Sequence, residues 1–307
     1  MSGKPVLRAV SLAKRYAHAS TGALEDIDLS VDSGSLFGLI GADGAGKSTL
    51  LKILATLIPP DAGTATVLGH DIRGDRNAIR TSIGYMPQRF SLYQDLTVLE
   101  NLVFFADVFG VTGHERARRV TRLLGFAHLE EFTKRRAGNL SGGMKQKLSL
   151  CCALVHSPKL IMLDEPTTGV DPVSRNEFWE ILKDLVSEGV TMIVSTPYMD
   201  ETRYCDRLGM LHKGSLLCEG TPAELVADYP LALYRARTPG QLAGFDRTEM
   251  PEYIRHAYPS AGDLKVAAAQ GADRKDVEQW VKRMLPESGA IERCEPVMED
   301  VFIEKAS

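Results

Sequence analysis

A glycine-rich segment between an apolar strand and a helix constrains the fold of this chain more than any other feature. It reads GADGAGKS over residues 41–48 and matches the pattern G-x-x-x-x-G-K-[ST]. The apolar residues 35–40 precede it, and a helical pattern over residues 46–57 overlaps its end. Glycines let backbone N–H groups surround phosphate oxygens, and the helix N-terminus adds positive potential. The segment therefore predicts a phosphate-binding loop in an α/β fold.

The residue types of this loop indicate what each one contacts. Lys47 is expected to bridge the β- and γ-phosphates of a nucleotide. The Ser48 hydroxyl is expected to ligate Mg²⁺, which prefers oxygen ligands. The predicted nucleotide-binding residues of the loop and the first helical turn are Gly41, Asp43, Gly44, Ala45, Gly46, Lys47, Ser48 and Thr49.

A second segment that carries chemistry is an apolar strand ending in two acids. The apolar residues 160–163 are followed by Asp164 and Glu165, at the carboxyl end of a strand, where α/β sheets place ligands. We expect Asp164 to hold Mg²⁺ through water and Glu165 to polarise the attacking water as general base. Because both acids lie far in sequence from Lys47, the fold has to bring the two segments together.

The alternation of strands and helices predicts the architecture. Apolar strands at residues 159–163 and 190–195 alternate with helices, which indicates a mostly parallel α/β sheet. Residues 5–10 and 24–31 read as further short strands, and residues from about 90 to 157 as an inserted helical subdomain.

A shift in composition near residues 228–230 predicts a domain boundary, with one domain over 1–229 and a small α+β domain over 230–307. The second domain reads as strand, loop, strand, helix, strand and helix, and its clearest helix covers residues 274–285. That helix carries apolar side chains at i, i+3, i+4, i+7 and i+8, which is typical of a face that packs on a core.

Composition argues against several classes of protein. The formal net charge is −4, whereas a dedicated nucleic-acid binder carries a surplus of basic residues. No apolar run approaches the roughly 18 residues that a membrane-spanning helix needs. The five cysteines form no C-x-x-C pair, so neither a metal nor a redox role is indicated for them. We therefore expect no nucleic-acid partner and no span of the bilayer by this chain.

The segment LSGGMKQ at residues 140–146 resembles the signature of the ATP-binding-cassette (ABC) ATPases. Together with the phosphate loop and the Asp-Glu pair, it makes the chain similar to this family over about residues 5–229. The resemblance implies a P-loop NTPase cassette with a mostly parallel core sheet, an antiparallel β part and a helical insert. It also implies that the chain binds ATP and Mg²⁺ and hydrolyses ATP.

The family pattern assigns roles to further residues of this sequence. The resemblance implies that Tyr16 stacks on adenine, that Gln88 senses Mg²⁺ and the membrane subunit, and that Asp171 is the D-loop aspartate. In the family, the signature does not reach its own nucleotide but closes on the ATP of a second cassette. The signature residues expected to do so here are Ser141, Gly142 and Gly143. Without the family, these three residues also fit an ordinary helix N-cap.

Two further strings resemble the branch of the family that exports drugs, lipids and polysaccharides. They are LYQDLT at residues 92–97 and VMEDVF at residues 297–302. The resemblance implies two partners, a second ABC cassette in a homo- or heterodimer and an integral membrane permease subunit. It also implies a position in the cytoplasm, peripheral on the inner face of the cell membrane.

Three features depart from the family pattern. Ala42 and Asp43 stand where Pro-Asn is usual, and we expect the Asp43 carboxylate to point into solvent. Met144 replaces a common glutamine or glutamate. The third departure is Pro197, in the string STPYMD, because the family has a switch histidine after Ser-Thr. His212, which ends the next strand, is a poor substitute for it.

Three functional hypotheses follow from the sequence. The first is the ATPase subunit of an ABC exporter. The second is a regulatory cassette that hydrolyses ATP slowly, because Pro197 weakens its site, and that completes the active site of a partner cassette. The third is an ABC protein of translation or DNA repair, against which the single cassette without heptads argues.

Overall fold

The structure, a computed structural model, describes residues 5–17, 21–237 and 250–307. The chain divides into two compact units, Met1–Pro222 and Ala223–Ser307. Among the described residues, no helix has the length and apolar character needed to cross a membrane. All five cysteines are free thiols.

The first unit alternates strands and helices along the chain. Its strands are β1 Leu7–Lys14, β2 Leu24–Val31, β3 Leu36–Ile40, β4 Ala62–Val67, β5 His70–Asp71, β6 Ile83–Met86, β7 Leu160–Asp164, β8 Thr191–Thr196, β9 Arg207–His212 and β10 Ser215–Gly220. Its helices are α1 Lys47–Leu54, α2 Arg76–Ser82, α3 Val98–Val108, α4 Gly113–Ala127, α5 Gly142–Leu154 and α6 Pro172–Ser187. Short 3-10 turns cover Glu130–Phe132, Ala137–Asn139 and Met199–Tyr204.

The core of the first unit is a six-stranded sheet in the order β10-β9-β3-β8-β7-β6. Strands β9, β3, β8, β7 and β6 run parallel, and β10 pairs antiparallel with β9 at one edge. Every residue of β3, β7 and β8 is buried, as in parallel sheets that are covered on both faces. This is the mostly parallel core sheet that the sequence predicts.

A second, antiparallel sheet packs against this core. Its strands follow the order β2-β1-β4-β5. Leu7 and Ile27 of this sheet, Leu39 and Met162 of the core sheet and Leu50 of α1 belong to one buried cluster. The first strand runs farther than the sequence indicates, since β1 continues to Lys14 through irregularities in its register.

Helices α3, α4 and α5 stand between β6 and β7 and form the predicted helical insert. At the start of α3 the Thr97 hydroxyl accepts from the Glu100 N–H at 3.2 Å, and the Glu100 carboxylate accepts from the Thr97 N–H at 2.7 Å. The sequence predicts helix throughout residues 97–150, but the structure interrupts it between helices. Gly110 at φ 70° and His128 at φ 57° adopt the left-handed conformation that ends helices.

The second unit is a four-stranded antiparallel sheet with helices. Its elements are β11 Ala232–Ala236, β12 Ile254–Ser260, β13 Asp263–Ala268, α8 Arg274–Met284, β14 Ile291–Arg293 and α9 Met298–Lys305, and α7 Pro222–Ala227 spans the division between the units. The sheet order is β12-β13-β11-β14. Helix α8 buries Val277, Trp280 and Val281 in the cluster that contains Leu264 and Val266 of β13. The apolar face that the sequence predicts therefore packs on a core.

One strand more than predicted lies in the second unit, because β12 and β13 form a hairpin where the sequence pattern indicates a single strand. Ala261 at φ 51° and Gly262 at φ 88° form its turn. Two central residues with positive φ match the twist of antiparallel strands. Alanine is unusual at the first of them, but Pro259, Ser260, Gly262 and Asp263 are turn residues, so the sequence contains a turn signal that the single-strand prediction did not use.

Candidate nucleotide-binding site

The carboxyl ends of four neighbouring strands bring the predicted site segments together. Gly41 follows β3, Pro197 follows β8, Glu165 follows β7 and Pro87 follows β6. Because these strands are parallel and adjacent in the order β3-β8-β7-β6, the four segments meet at one edge of the sheet. This is the edge at which parallel α/β sheets bind ligands.

The phosphate-binding loop runs from β3 directly into α1, whose first residue is Lys47. Gly46 has φ 110°, and a Cβ atom there would lie 2.5 Å from the carbonyl oxygen of Ala23, so only glycine fits. The Asp43 side chain is exposed, in agreement with a carboxylate that points into solvent, whereas Ala45 is buried. The loop thus places the start of α1 and its backbone N–H groups at the sheet edge.

The Lys47 ammonium is buried and fully engaged. It donates to the carbonyl oxygens of Gly41 at 2.7 Å and Ala42 at 3.1 Å, and it forms an ion pair with Glu165 Oε1 at 3.0 Å. Glu165 is buried as well, so each charge of the pair neutralises the other where water is excluded. The other carboxylate oxygen, Oε2, accepts from the Gln88 amide at 2.8 Å. The structure therefore joins Lys47, Glu165 and Gln88 in one network.

Asp164 lies beside this network with two hydroxyl donors. Its Oδ1 accepts from Ser48 Oγ at 2.9 Å and from Ser195 Oγ at 2.8 Å. Burial raises the pKa of the Asp164 carboxyl, and the hydrogen bonds from Ser195 and Ser48 oppose that rise in part. A cation at the carboxylate would lower this pKa. The structure thus brings together the two residues that the sequence assigns to Mg²⁺, Ser48 and Asp164.

The donor set at this edge suits Mg²⁺. Ser48, Asp164 and Gln88 offer hydroxyl, carboxylate and amide oxygens, which are hard ligands. In the described part of the chain, no group of three or more His, Cys, Asp or Glu side chains could hold a metal ion. A site with few protein ligands is the usual arrangement for Mg²⁺, which keeps waters and binds substrate phosphates.

Tyr16 and Thr49 contact each other across the start of α1. The Tyr16 hydroxyl lies 3.3 Å from Thr49 Oγ1, and the tyrosine ring is exposed. The aromatic ring that the family resemblance assigns to adenine therefore lies next to the phosphate-binding loop, with a face open to solvent.

The signature residues and Asp171 form a second group, at the N-termini of two packed helices. Ser141 caps α5, since its hydroxyl accepts from the Met144 N–H at 3.3 Å. Asp171 caps α6, and its Oδ1 accepts from the N–H of Ser174 at 2.9 Å and of Val173 at 3.1 Å. The hydrogen bond from the Ser174 N–H is the main cause of a lowered pKa at Asp171.

Gly143 lets the two helix ends of this group touch. A Cβ atom there would lie 2.7 Å from the Cβ of Ser174, so a larger residue would push α5 and α6 apart. Ser141, Gly142 and Asp171 are exposed. The group presents capped helix ends to solvent, while the network around Lys47 is buried.

Pro197 lies between the phosphate-binding loop and the acid turn. It follows β8, whose last residue Thr196 pairs with Ile40 of β3. Pro197 has no N–H and no polar side-chain atom, so it offers no hydrogen-bond donor there. His212 ends β9, on the opposite side of β3 from β8, which agrees with its being a poor substitute.

Sequence reasoning missed a buried carboxylate beside Pro197. Glu201 accepts hydrogen bonds from Thr167 Oγ1 at 2.7 Å and from the Thr196 hydroxyl. Arg175 of α6 lies 3.6 Å from Glu201 and stacks over the Tyr198 ring at 4.1 Å. These contacts tie the segment after Pro197 to α6. The string STPYMDE contains Glu201, but nothing local in it indicates burial.

Comparisons with known proteins include a family match that contains the phosphate-binding loop, the signature and the acid pair. The family described as ABC transporter matches residues 24–168. The probable multidrug ABC transporter ATP-binding protein YbhF of Escherichia coli (strain K12) is 46% identical over 220 residues, 72% of this chain and 38% of that protein. The Nod factor export ATP-binding protein I of Rhizobium sp. (strain N33) is 44% identical over 204 residues, 66% of this chain and 67% of that protein.

Solved structures agree with these matches. The structure of cbiO1 from Clostridium perfringens, described as part of the ABC transporter complex cbiONQ, has a TM-score of 0.67 at 28% identity and covers 73% of this chain and 91% of that chain. A dimeric ATP-binding cassette, MJ0796, bound to ADP and Pi has a TM-score of 0.65 at 28% identity and covers 70% of this chain and 98% of that chain. The match to YbhF spans only 38% of the length of that relative.

Proposed function

The chain belongs to the ABC transporter family, and on this premise we propose that it is the ATP-binding and ATP-hydrolysing subunit of an exporter, which powers a separate membrane subunit. The family and the cassette fold that the sequence predicts are confirmed by these relatives and structural neighbours. The observation that carries the proposal is the meeting of Lys47, Asp164, Glu165 and Gln88 at one sheet edge.

The residues of this edge have the chemistry that ATP hydrolysis needs. The loop N–H groups and Lys47 bind the phosphates. Ser48, Asp164 and Gln88 would hold Mg²⁺, which when bound neutralises charge on the phosphates. Phosphate oxygens compete with Glu165 for the Lys47 ammonium, so ATP binding releases the carboxylate to accept the proton of the attacking water.

The exposed group at α5 and α6 supports a partner in the same reaction. Ser141, Gly142 and Gly143 present a helix N-terminus, with Asp171 beside it, and such ends bind phosphate. We infer that this surface closes on the ATP of a second cassette, so that two nucleotides are held between two cassettes. The membrane subunit is the other partner, and we propose that the chain works peripherally on the inner face of the cell membrane.

A second candidate function is favoured by Pro197. A donor at that position would stabilise the charge that develops on the γ-phosphate, and proline supplies none. A cassette with this site would bind ATP, hydrolyse it slowly and still offer its signature to a partner cassette. Under this hypothesis the faster site belongs to a second cassette that carries a switch histidine. The segment 230–307 is proposed as an accessory domain in either case.

Purification from membranes tests the proposal. The tagged chain is extracted in mild detergent, every protein that remains bound is identified, and ATP turnover of the complex is measured. We expect an integral membrane subunit and Mg²⁺-dependent ATP hydrolysis that vanishes in Asp164→Asn. Recovery with ribosomes or DNA, or a membrane complex without ATP turnover, contradicts the exporter function. A second cassette that bears the histidine in the complex supports the regulatory function.

A further inference from the structure

We propose that Ser195 is a positioning residue for ATP hydrolysis, because its buried hydroxyl contacts both the Asp164 carboxylate at the end of β7 and the backbone N–H of Glu165, which follows β7. The inference rests on the proposed function. Ser195 lies near the end of β8 and pairs in register with Asp164. Its side chain is completely buried. It touches neither nucleotide nor metal in this proposal and acts through its two neighbours.

The directions of the two hydrogen bonds follow from the atoms involved. The Glu165 N–H lies 2.9 Å from Ser195 Oγ and can only donate, so the hydroxyl accepts there. The hydroxyl proton is then free to be donated to Asp164 Oδ1, 2.8 Å away. A serine hydroxyl has one proton and two lone pairs, so both bonds form at once. The two acids are thus linked through a single oxygen atom.

For Asp164, Ser195 supplies a second hydroxyl donor, which is not itself a proposed metal ligand. Among the described residues, Asp164 Oδ1 has two side-chain donors, Ser48 and Ser195. Ser48 is a proposed Mg²⁺ ligand through its oxygen and can still donate its proton to Asp164, so the Ser48 and Ser195 hydroxyls together fix the carboxylate. Hydrogen-bond partners of this kind set the orientation and the affinity of metal ligands.

For Glu165, Ser195 stabilises an unusual backbone. Glu165 has φ 49°, in the left-handed region that residues with a side chain rarely adopt. Such conformations persist where surrounding contacts determine them, and they concentrate at functional sites. The Glu165 N–H is held both by Ser195 Oγ and by the Ser195 carbonyl oxygen at 3.1 Å. This turn aims the carboxylate at Lys47 and Gln88.

The two residues after Ser195, Thr196 and Pro197, do not orient the two acids. Thr196 directs its hydroxyl to Glu201, and successive side chains of a strand point to opposite faces. Pro197 has no donor. We conclude that β8 acts on the site through Ser195, which the sequence shows only as the residue before Thr-Pro.

The test compares Ser195→Ala with a matched loss of a hydroxyl on the same strand. Thr191 is buried at the opposite end of β8, where its Oγ1 accepts from the Gly34 N–H at 2.9 Å, so Thr191→Val is the control. Ser195→Ala loses two hydrogen bonds, to Glu165 and Asp164, and Thr191→Val loses one, to Gly34. The measurements are Tm, the ATP dissociation constant in EDTA and in Mg²⁺, and the turnover of the purified complex.

Ser195→Ala is expected to keep ATP affinity in EDTA within about twofold, while the gain in affinity on adding Mg²⁺ and the kcat each fall by roughly tenfold or more. Thr191→Val is expected to lower Tm to a similar or smaller extent, and to change neither the kcat nor the gain in ATP affinity on adding Mg²⁺. Ser195→Thr, which keeps the hydroxyl, should recover most of both. If Ser195→Ala does not fold, Ser195→Cys replaces it. Because a thiol is a weak donor, this variant should also lose the gain in ATP affinity on adding Mg²⁺.

Two results would overturn the inference. One is an unchanged Mg²⁺ gain and kcat in Ser195→Ala or Ser195→Cys. The other is an equal change of both quantities in the Thr191→Val control, which would mean that β8 acts through stability alone. These results differ from failure of the proposed function, in which the wild-type complex itself shows no ATP turnover.

Discussion

The two groups of predicted site residues in the first unit are held in different ways. Lys47, Asp164 and Glu165 are buried; Lys47 forms an ion pair with Glu165, and Asp164 accepts from Ser48, so both contacts join segments far apart in sequence. Ser141 and Asp171 are exposed, and each caps the helix that follows it. The charged side chains of the first group have their hydrogen-bond partners within the chain, whereas the second group leaves a helix N-terminus facing solvent. The difference fits the proposed roles, in which the first group hydrolyses ATP and the second closes on the ATP of a second cassette.

The largest expected effect is at Glu165. Glu165→Gln keeps the shape and the hydrogen bond with Gln88 but cannot take a proton, so turnover should drop by on the order of 10²-fold or more. ATP binding should persist, because the phosphates no longer compete with a carboxylate for Lys47. Turnover and calorimetric ATP affinity of the purified complex check this. Glu177→Gln on the exposed face of α6 is the control, and unchanged turnover in Glu165→Gln would remove Glu165 from the mechanism.

A substitution in the second group, Ser141→Arg, is expected to lower turnover by a smaller factor and to leave ATP binding by the isolated chain nearly unchanged. Ser141→Arg places a bulky cation at the helix end, so ATP-driven dimer formation should be lost and turnover should fall by roughly tenfold or more. ATP affinity of the isolated chain should stay within a few-fold, since Lys47 and Tyr16 are unchanged. Light scattering and fluorescent-nucleotide titration measure the two quantities, with the exposed Ser187→Arg as control. A collapse of ATP affinity in the isolated chain would place the signature in its own site.

Substitution of Pro197 is expected to raise turnover instead of lowering it, and by a smaller factor. Pro197→His restores a donor between the loop and the acid turn, and turnover of the chain alone should rise several-fold, up to roughly tenfold. Pro197→Ala is the matched variant, because it removes the ring without adding a donor. A rise in Pro197→His alone supports the regulatory cassette. Brisk turnover of the wild-type chain without a second cassette would argue against it.

The smallest effect concerns the pH dependence of stability, which has opposite signs in the two groups. Burial raises the pKa of Asp164, so its contribution to folding is present at acid pH and is lost as pH rises through the raised pKa. Backbone hydrogen bonds lower the pKa of Asp171, so its contribution is present at neutral pH and is lost as pH falls.

Tm measured on both sides of the ordinary aspartate pKa of 3.8 tests these signs. From acid to neutral pH, Asp164→Asn should gain a few degrees relative to wild type, and Asp171→Asn should lose a similar amount. Parallel changes in the two variants would contradict the contrast between the buried and the exposed group.

The features that depend on neighbouring residues could be predicted from the amino-acid sequence. The phosphate loop, the acid pair after an apolar strand and the signature at a helix start each depend on a few neighbouring residues. Caps, glycine turns and side-chain periodicity act over one or two helical turns, so these elements can be predicted from their own residues. The single-strand prediction for the β12–β13 hairpin was wrong although its turn is also local, because it gave no weight to the turn residues Pro259, Ser260, Gly262 and Asp263.

The distant side chains that complete the site could be identified only once the strands were placed in the fold. The ion pair of Lys47 with Glu165, the Ser195 hydroxyl between the two acids and the buried Glu201 beside Pro197 all depend on the register of parallel strands. Crossover connections in a parallel sheet allow many strand orders, and a hydroxyl on an apolar strand looks the same in sequence whether or not an acid faces it. The residue types at the sheet edge therefore follow from the sequence, whereas the contacts between them follow from the spatial order and register of the strands.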